Sequence, residues 1–595
     1  MREKVSEDIL SAKDKLFKST AYDIRAYVGE AGAFFSEKAV LTPSRMRIAG
    51  VLLASMEFKR DGGDVLQLKA GDKVVVGYDN GPTSKELADA FGAGLTEQGI
   101  DVYDVGIASS GQVYHNQEQF KADGYVQITR SHVEVTTNGA KFGIFNQGIH
   151  TYLLGEMNAA LDMPEIGRNA PRGTIADKAK EGYEIYAEKL KARYSEFFKN
   201  NKPSRQIAVN LFGGTGLNYG SLFREIIGGE LIILGDTIDV NSGILLADPT
   251  RREMLEEVPE LNNVLSSGAR VHSFDLDADR GSLTEGEGAL SLSKTGHYLG
   301  DDLSFILAEY KLKIAVPALK TALEKLALQK GRIEEIIKIA STIYVDPRYT
   351  SAVKAFVEKR GGITVYHRKG HSLWKETMGA NMRRISSLAG FKSAAEFVRA
   401  SNYRDIQVEA SLHLFATDPE DAIARDDAIE NVFLLETIIK ALKIDNLADF
   451  FARIPRRFAT KEIRTNAASA EVKEAITADA LNIIRKTFGE WCSIVEFDGQ
   501  IRADFPRGFI MYGMSNTSAK LTFMAEGDTI ELRSSALAYI MALHNSLKAK
   551  HGDNLKMDLK ENPFFVKDES YQMPCPDEIT FEDARVKEFL CKKWQ

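Results

Sequence analysis

Apolar and polar positions in the first half of the chain alternate between two periods. Short β-branched runs read as buried strands: Lys73 to Asp79, Asp101 to Val105, Gly124 to Thr129, Gln206 to Phe212, Leu231 to Gly235 and Ala269 to Phe274. Helical repeats such as Ser84 to Glu97 lie between them. This alternation predicts α/β layers with mainly parallel sheets, whose ligands gather beyond the carboxyl ends of the strands. Further along, Ala315 to Glu335 is rich in Lys, Leu, Ala and Glu and predicts an added helical hairpin, either a lid or a packing element. A helix is predicted over Asp427 to Leu442. Beyond Lys548 the periodicity weakens and Pro563, Pro574 and Pro576 intervene, which predicts an arm wrapping the body. No short repeat is present, although the recurring strand-rich units leave room for duplicated domains.

At 595 residues the chain exceeds what one core serves, so roughly three to five domains are expected. With 44% hydrophobic and 27% charged residues it has the composition of a soluble globular protein. A net charge of -8, a pI near 5.9 and the lack of a basic block interleaved with aromatics argue against a nucleic-acid surface. An anionic substrate then needs a local basic pocket. Cys492, Cys575 and Cys591 have no metal-type spacing, which fits a reducing compartment. The charged opening Met1 to Asp8 and the lack of a bilayer-length apolar run predict a cytoplasmic protein with no membrane partner.

The chemistry concentrates in two segments that follow strands. Asp275, Asp277 and Asp279 alternate at the end of an apolar run and are followed by Arg280. Carboxylates so spaced can fold round one hard divalent cation such as Mg²⁺, and the arginine suggests a phosphate nearby. A solvated acidic turn or a Ca²⁺ loop has similar spacing, but the Gly and distal Glu of an EF-hand are not at their offsets. The second segment, Ile128 to Lys141, puts Ser131-His132 just past a buried strand, with the turn dipeptide Asn138-Gly139 and a phosphate-neutralising Lys141 behind it. Taken alone, it also reads as a turn with a capping serine.

Together the two segments resemble the α-D-phosphohexomutases. Thr129-x-Ser131-His132 with Asn138-Gly139-x-Lys141 is similar to that family's active-site serine loop, and Asp275-x-Asp277-x-Asp279-Arg280 to its metal loop. Ala21-Tyr22-Asp23-Ile24-Arg25 resembles the amino-terminal motif of the bacterial phosphomannomutase/phosphoglucomutase branch. Asp248-Pro249-Thr250 and Gly300-Asp301 flank the metal loop as in the family. Arg368-Lys369-Gly370-His371-Ser372 resembles the loop that distinguishes substrate orientations, and Glu409-Ala410-Ser411-Leu412-His413 the sugar-binding loop, followed by Asp426-Asp427 and a helix. Ser515-Asn516-Thr517 resembles the phosphate-binding loop.

The resemblance implies four α/β domains around a central cleft, three of them related α/β/α layers and the last a smaller α+β unit. The boundaries expected are 1–178, 179–297, 298–452 and 453–547, with a C-terminal extension over 548–595. It implies a phosphoserine at Ser131 and Mg²⁺ held by Asp275, Asp277, Asp279 and Ser131, with His132, Lys141, Arg280 and Arg25 assisting transfer. Arg368, Lys369, Gly370, His371, Glu409, Ser411 and His413 are expected to meet the sugar, and Ser515, Asn516, Thr517 and Lys520 the idle phosphate. The activity implied is interconversion of the 1- and 6-phosphates of mannose or glucose through a hexose 1,6-bisphosphate, by a monomer or homodimer. A glucosamine-type mutase is the neighbouring reading, and a non-catalytic sugar-phosphate-binding protein is the rival.

Four departures from the family pattern stand against the resemblance, and two of them, at 133–134 and at 513, favour the rival. Val133-Glu134 replaces Asn-Pro and brings an extra carboxylate, and Leu412 replaces a glycine whose positive φ it cannot adopt cheaply. Gly513 replaces a phosphate-clamping arginine, leaving Lys520, Arg502 or Arg507 to substitute. Gly77 to Pro82 replaces a stretch that usually carries arginines.

Overall fold

The computed structural model describes residues 23–59, 65–145, 147–148, 154, 156–157, 167, 170–228, 230–239, 246–286, 296–326, 328–455, 457–460, 462–467, 470–497, 499–514, 520–552, 555–556 and 579–591. The first sheet contains β1 (Ile24–Tyr27), β2 (Lys73–Tyr78), β3 (Asp101–Ile107), β4 (Gly124–Ile128), β5 (Thr137–Ile144), β6 (Gln147–Gly148) and β7 (Ile175–Asp177). Its order is β1-β5-β4-β2-β3-β7, with β6 beside β5. Strands β4, β2, β3 and β7 run parallel, and β5 and β1 close one edge antiparallel. Helix α1 (Pro43–Ser55) starts where Pro43 fixes φ and Thr42 accepts from the Arg45 amide, and it packs on α2 (Ser84–Glu97).

The second sheet repeats this plan in β8 (Ile207–Asn210), β9 (Ile232–Leu234), β10 (Arg270–Phe274), β11 (Gly281–Glu285) and β12 (His297–Tyr298), ordered β9-β8-β10-β11-β12. The first three are parallel, and β11 and β12 are added antiparallel. Strands β13 (Thr342–Val345) and β14 (Ile363–Tyr366) form a parallel pair. Strands β15 (Ile406–Val408), β16 (Leu414–Thr417) and β17 (Ala424–Asp426) form an antiparallel sheet. The predicted hairpin exists as helices Val316–Lys325 and Lys330–Ala340. Its apolar face is buried against Met382, Ile385 and Phe397, so it is a packing element.

Contacts divide the chain into two units, one holding residues up to Ser341 and Lys369–Phe451, the other Thr342–Arg368 and Ala452 onward. Thr342–Arg368 therefore clusters with the C-terminal residues, not with the rest of 298–452. Arg502 explains this: its guanidinium donates to the carbonyls of Pro347 (2.6 Å) and Tyr349 (2.7 Å) and lies 3.6 Å from the Phe509 ring centroid. The Ser351 amide also donates to Glu526 at 3.0 Å. The large sheet of this unit is backed by helices Ala470–Phe488 and Ile530–His551. In the expected arm, helix Ala584–Cys591 instead buries Val586 and Phe589 in the unit's core, beside Phe488 and Tyr539.

Candidate active site

Three loops of the first unit occupy equivalent places, each joining a strand to the antiparallel strand that follows it. Residues 129–136 link β4 to β5, 275–280 link β10 to β11, and 409–413 link β15 to β16. Each holds one non-glycine residue in the left-handed region: Ser131 at φ 54°, Ala278 at 52° and Leu412 at 70°. This conformation costs an L-residue about 1–2 kcal/mol and persists only where the surroundings enforce it.

The enforcement is specific. The Ser131 amide donates to Thr129 Oγ1 at 2.7 Å, and the Arg130 amide to Asp79 Oδ2 at 2.9 Å. Asp79 also accepts from Gly81 N at 2.8 Å and from the Ser84 hydroxyl. Asn138 Nδ2 reaches Thr83 Oγ1 (2.8 Å) and Ser84 Oγ (2.9 Å). Arg25 donates to the Thr129 carbonyl and pairs with Asp23 at 2.8 Å. In the second loop, Asp275 Oδ1 accepts from the amides of Asp279 and Arg280, both at 3.2 Å. Ser110 donates from its amide to Asp277 O (2.9 Å) and from its hydroxyl to Asp277 Oδ2 (2.8 Å). The loops are also tied to one another, since Gly281 N donates to Leu412 O at 3.3 Å and Ala428 N to Ala278 O at 3.0 Å.

These constraints bring the serine onto the aspartates. Ser131 Oγ donates to Asp275 Oδ2 at 2.9 Å and lies 3.1 Å from His132 Nδ1. Lys141, on β5, donates to Asp277 Oδ2 at 2.7 Å and to Asp279 Oδ2. Arg280 donates from Nε to His413 Nε2 at 2.9 Å and from Nη1 to the His132 ring. Glu409 Oε1 accepts the Gly370 amide at 3.0 Å, and His371 stacks on His413 with ring centroids 5.4 Å apart. Ser411 and Lys369 are half-buried nearby in sequence, and Arg368 is exposed and belongs to the other unit. Gly300 allows the close approach of the 409–413 loop: a Cβ there would stand 2.6 Å from Glu409 O.

Burial and mutual repulsion hold the Asp275 and Asp277 carboxyls above the usual range. Burial acts the same way on Asp279, but Lys141, His413 and Arg280 outweigh it and hold that carboxyl well below. Burial, reinforced by Arg280 and Arg25, keeps the His132 imidazole uncharged. Asp275, Asp277 and Asp279 offer oxygens within 4.8 Å of one another, and Asp277 Oδ1 and Asp279 Oδ1 have no hydrogen-bond partner. Orphaned, converging, repelling oxygens suit a hard cation of the Mg²⁺ kind.

Residues 51–151 match the family model for phosphoglucomutase/phosphomannomutase, α/β/α domain I. This match is consistent with the resemblance of the site loops to the α-D-phosphohexomutases. The phosphoglucomutase of Neisseria gonorrhoeae is 22% identical over 517 residues, covering 86% of this chain and 92% of that protein. A phosphoglucosamine mutase of Leuconostoc mesenteroides is 28% identical over 269 residues, 42% of this chain and about half of that protein (54%). A phosphoglucomutase/phosphomannomutase family protein of Burkholderia thailandensis has the same fold, with a TM-score of 0.64, 19% identity and coverage of 92% of this chain and 99% of that one.

Against the phosphohexomutase pattern, the departures resolve unevenly. Glu134 is exposed, so the extra carboxylate points to solvent and not at the anion site. Leu412 adopts the positive φ that the family's glycine takes freely and buries its side chain there. The stretch from Gly77 to Pro82 carries Asp79, which braces the serine loop. Arg502 does not stand in for an arginine at 513, because it is fully buried on Asp504 (2.8 Å) and two carbonyls. Arg507 pairs with Asp528 at 2.7 Å. Ser515, Asn516 and Thr517 lie outside the described residues, and Lys520 opens a strand opposite Asn466. Asp79, Ser110 and Lys375 are site neighbours that sequence reasoning did not select, and Asp426 figures in the sequence pattern only as a residue that follows the 409–413 loop. For Asp79 the usable signal was its position at the carboxyl end of β2.

Proposed function

We propose that the protein is a phosphohexomutase that interconverts the 1- and 6-phosphates of mannose or glucose through a phosphoserine at Ser131 and a bisphosphorylated sugar. The observation that carries this reading is the 2.9 Å hydrogen bond from Ser131 Oγ to Asp275, inside a buried group that also contains Asp277, Asp279 and Lys141. Phosphoryl transfer needs positioning and charge stabilisation more than covalent help, and the site supplies both.

In the forward half-reaction the Oγ–P bond of phosphoserine breaks as a P–O bond forms to the free sugar hydroxyl. The hydroxyl proton passes to the uncharged imidazole of His132, whose Nδ1 lies beside Oγ. After the bisphosphate turns over, its other phosphoryl group returns to Ser131 Oγ, and His132 gives its proton to the departing sugar oxygen. Arg280 and Lys141 steady the oxygens of the moving group, and Arg25 holds the serine loop through Thr129. Glu409, braced by the Gly370 amide, accepts from sugar hydroxyls, while Ser411, His371 and His413 line the same loop region. Asp275, Asp277 and Asp279 would hold Mg²⁺, which when bound offsets the roughly -2 charge of the phosphoserine and makes Oγ a better leaving group.

Phosphorus NMR tests this with Mg²⁺, a trace of hexose 1,6-bisphosphate, and the 1-phosphates of mannose, glucose and glucosamine in parallel. Growth of a 6-phosphate signal is expected with mannose or glucose, and it disappears in Ser131→Ala. Spectra unchanged for every sugar, from folded and metal-loaded protein, would move the reading to a binding protein. A signal from glucosamine alone would move it to the neighbouring mutase class.

A further inference from the structure

Behind Arg280 lies a line of buried polar groups that the mutase reading does not use. His413 Nε2 accepts from Arg280 Nε at 2.9 Å, and His413 Nδ1 lies 3.0 Å from Asp426 Oδ2. Asp426 ends β17, is fully buried, and is paired from its other side by Lys375, whose ammonium sits 4.2 Å from the Tyr114 ring centroid. The His413 ring is clamped between His371 and Phe415, at interplanar angles of 24° and 12°.

Hydrogen-bond bookkeeping fixes the protons. Arginine has donors only, so His413 Nε2 must carry a lone pair, and a neutral imidazole then carries its proton on Nδ1. Asp426 Oδ2, 3.0 Å from Nδ1, supplies the negative charge that favours a proton there, as a charge contact and not an aligned hydrogen bond. Asp279, His413 and Asp426 also lie close enough together to hold a cation. Such a site would need the Nδ1 lone pair, which this arrangement removes, so the cluster is a proton-ordered relay and not a second metal centre.

We propose that Asp426 is a positioning residue of this active site: through the Nδ1–H tautomer of His413 it fixes the Arg280 guanidinium against His132 and the Ser131 loop. The role in turnover rests on the mutase reading, whereas the tautomer does not. Removing the partner that orders a metal-ligating histidine typically costs ten- to a hundredfold in activity, and a loss of that order is expected for this ring. In Asp426→Asn the amide can turn its NH₂ toward Nδ1, moving the proton to Nε2, where it opposes the Arg280 N–H.

The test is nitrogen NMR of histidine-labelled protein, with His413 assigned by its loss in His413→Phe, alongside turnover. Expected are an Nδ1–H tautomer in the native chain and Nε2–H in Asp426→Asn, with kcat down ten- to a hundredfold and KM little changed. Asp426→Glu, which keeps a carboxylate acceptor, should restore most of the turnover. In a His413→Phe background, Asp426→Asn should cause no further loss. An Nε2–H tautomer in the native chain, full kcat in Asp426→Asn, or additive losses in the double variant would each overturn the proposal. Native protein without turnover on any hexose phosphate would sink the mutase reading, and the tautomer pair alone would then decide the role of Asp426.

Discussion

Strand β10 has buried charge at both ends, and the two ends are built on opposite principles. At its start, Arg270 pairs with Glu285 (2.7 Å) and Glu436 (2.9 Å), His272 lies 2.9 Å from Glu436, and Arg205 reaches Glu285 at 2.9 Å. Two arginines thus meet two glutamates, and the cluster is balanced. At the other end Asp275, Asp277 and Asp279 face Lys141 and Arg280, one negative charge in excess of balance and with two carboxylate oxygens unpartnered. Balanced buried charge holds a fold in register, whereas charge left unbalanced in the same layer is stored for a ligand.

The sharpest way to break the comparison is at the serine. Ser131→Ala should abolish mutase turnover, by at least about 10³-fold in phosphorus NMR assays, while leaving thermal stability nearly unchanged. The next largest contrast comes from neutralising one carboxylate at each end. Glu436→Gln leaves Arg270 buried beside an uncharged partner and should cost about 3–5 kcal/mol in urea denaturation, with little change in kcat for the folded fraction. Asp277→Asn relieves repulsion, so it should leave the metal-free protein as stable or more stable while turnover falls by about 10²-fold or more. Equal stability losses at the two ends would sink the distinction.

A pH titration sharpens it further. Asp275 and Asp277 retain protons above the usual carboxylate range in the metal-free protein, so their folded pKa values lie above the unfolded ones. The sign follows: the contribution of these two groups to metal-free stability is fully present below the usual carboxylate pKa and is lost as pH rises through their raised folded values. Mg²⁺ has to displace those protons, so its affinity should rise with pH, with proton release visible by calorimetry in buffers of different ionisation enthalpy. Binding without proton release would contradict the shared proton load. The smallest effect is expected at Glu134. Because it faces solvent, Glu134→Ala should leave kcat within about twofold and stability within about 0.5 kcal/mol.

The parts legible in the sequence were the local ones. Strands β2, β4, β8 and β10 appear as β-branched runs, and the three site loops carry their chemistry within a few adjacent residues. What escaped was long-range. Asp79 braces an amide 51 residues away, and Ser110 meets an aspartate 167 residues away, so neither pattern exists along the chain. The attachment of Thr342–Arg368 to the C-terminal unit escaped for the same reason, since it depends on Arg502 donating to carbonyls more than 150 residues earlier. Leu412 shows the converse: the sequence correctly marked a costly residue, and the fold accepts the cost by burying its side chain.

Gly513 limits what can be repaired by substitution. It pairs with Gln500 in the sheet at φ 157°, and a Cβ there would stand 2.4 Å from both Gln500 Cα and Gly499 O. Writing the family's arginine back at this one position would therefore damage the sheet before it gripped any phosphate. The arginine clamp is excluded here by backbone spacing as well as by side-chain identity, so a single substitution does not introduce it, and an engineer would have to rebuild the facing strand with it.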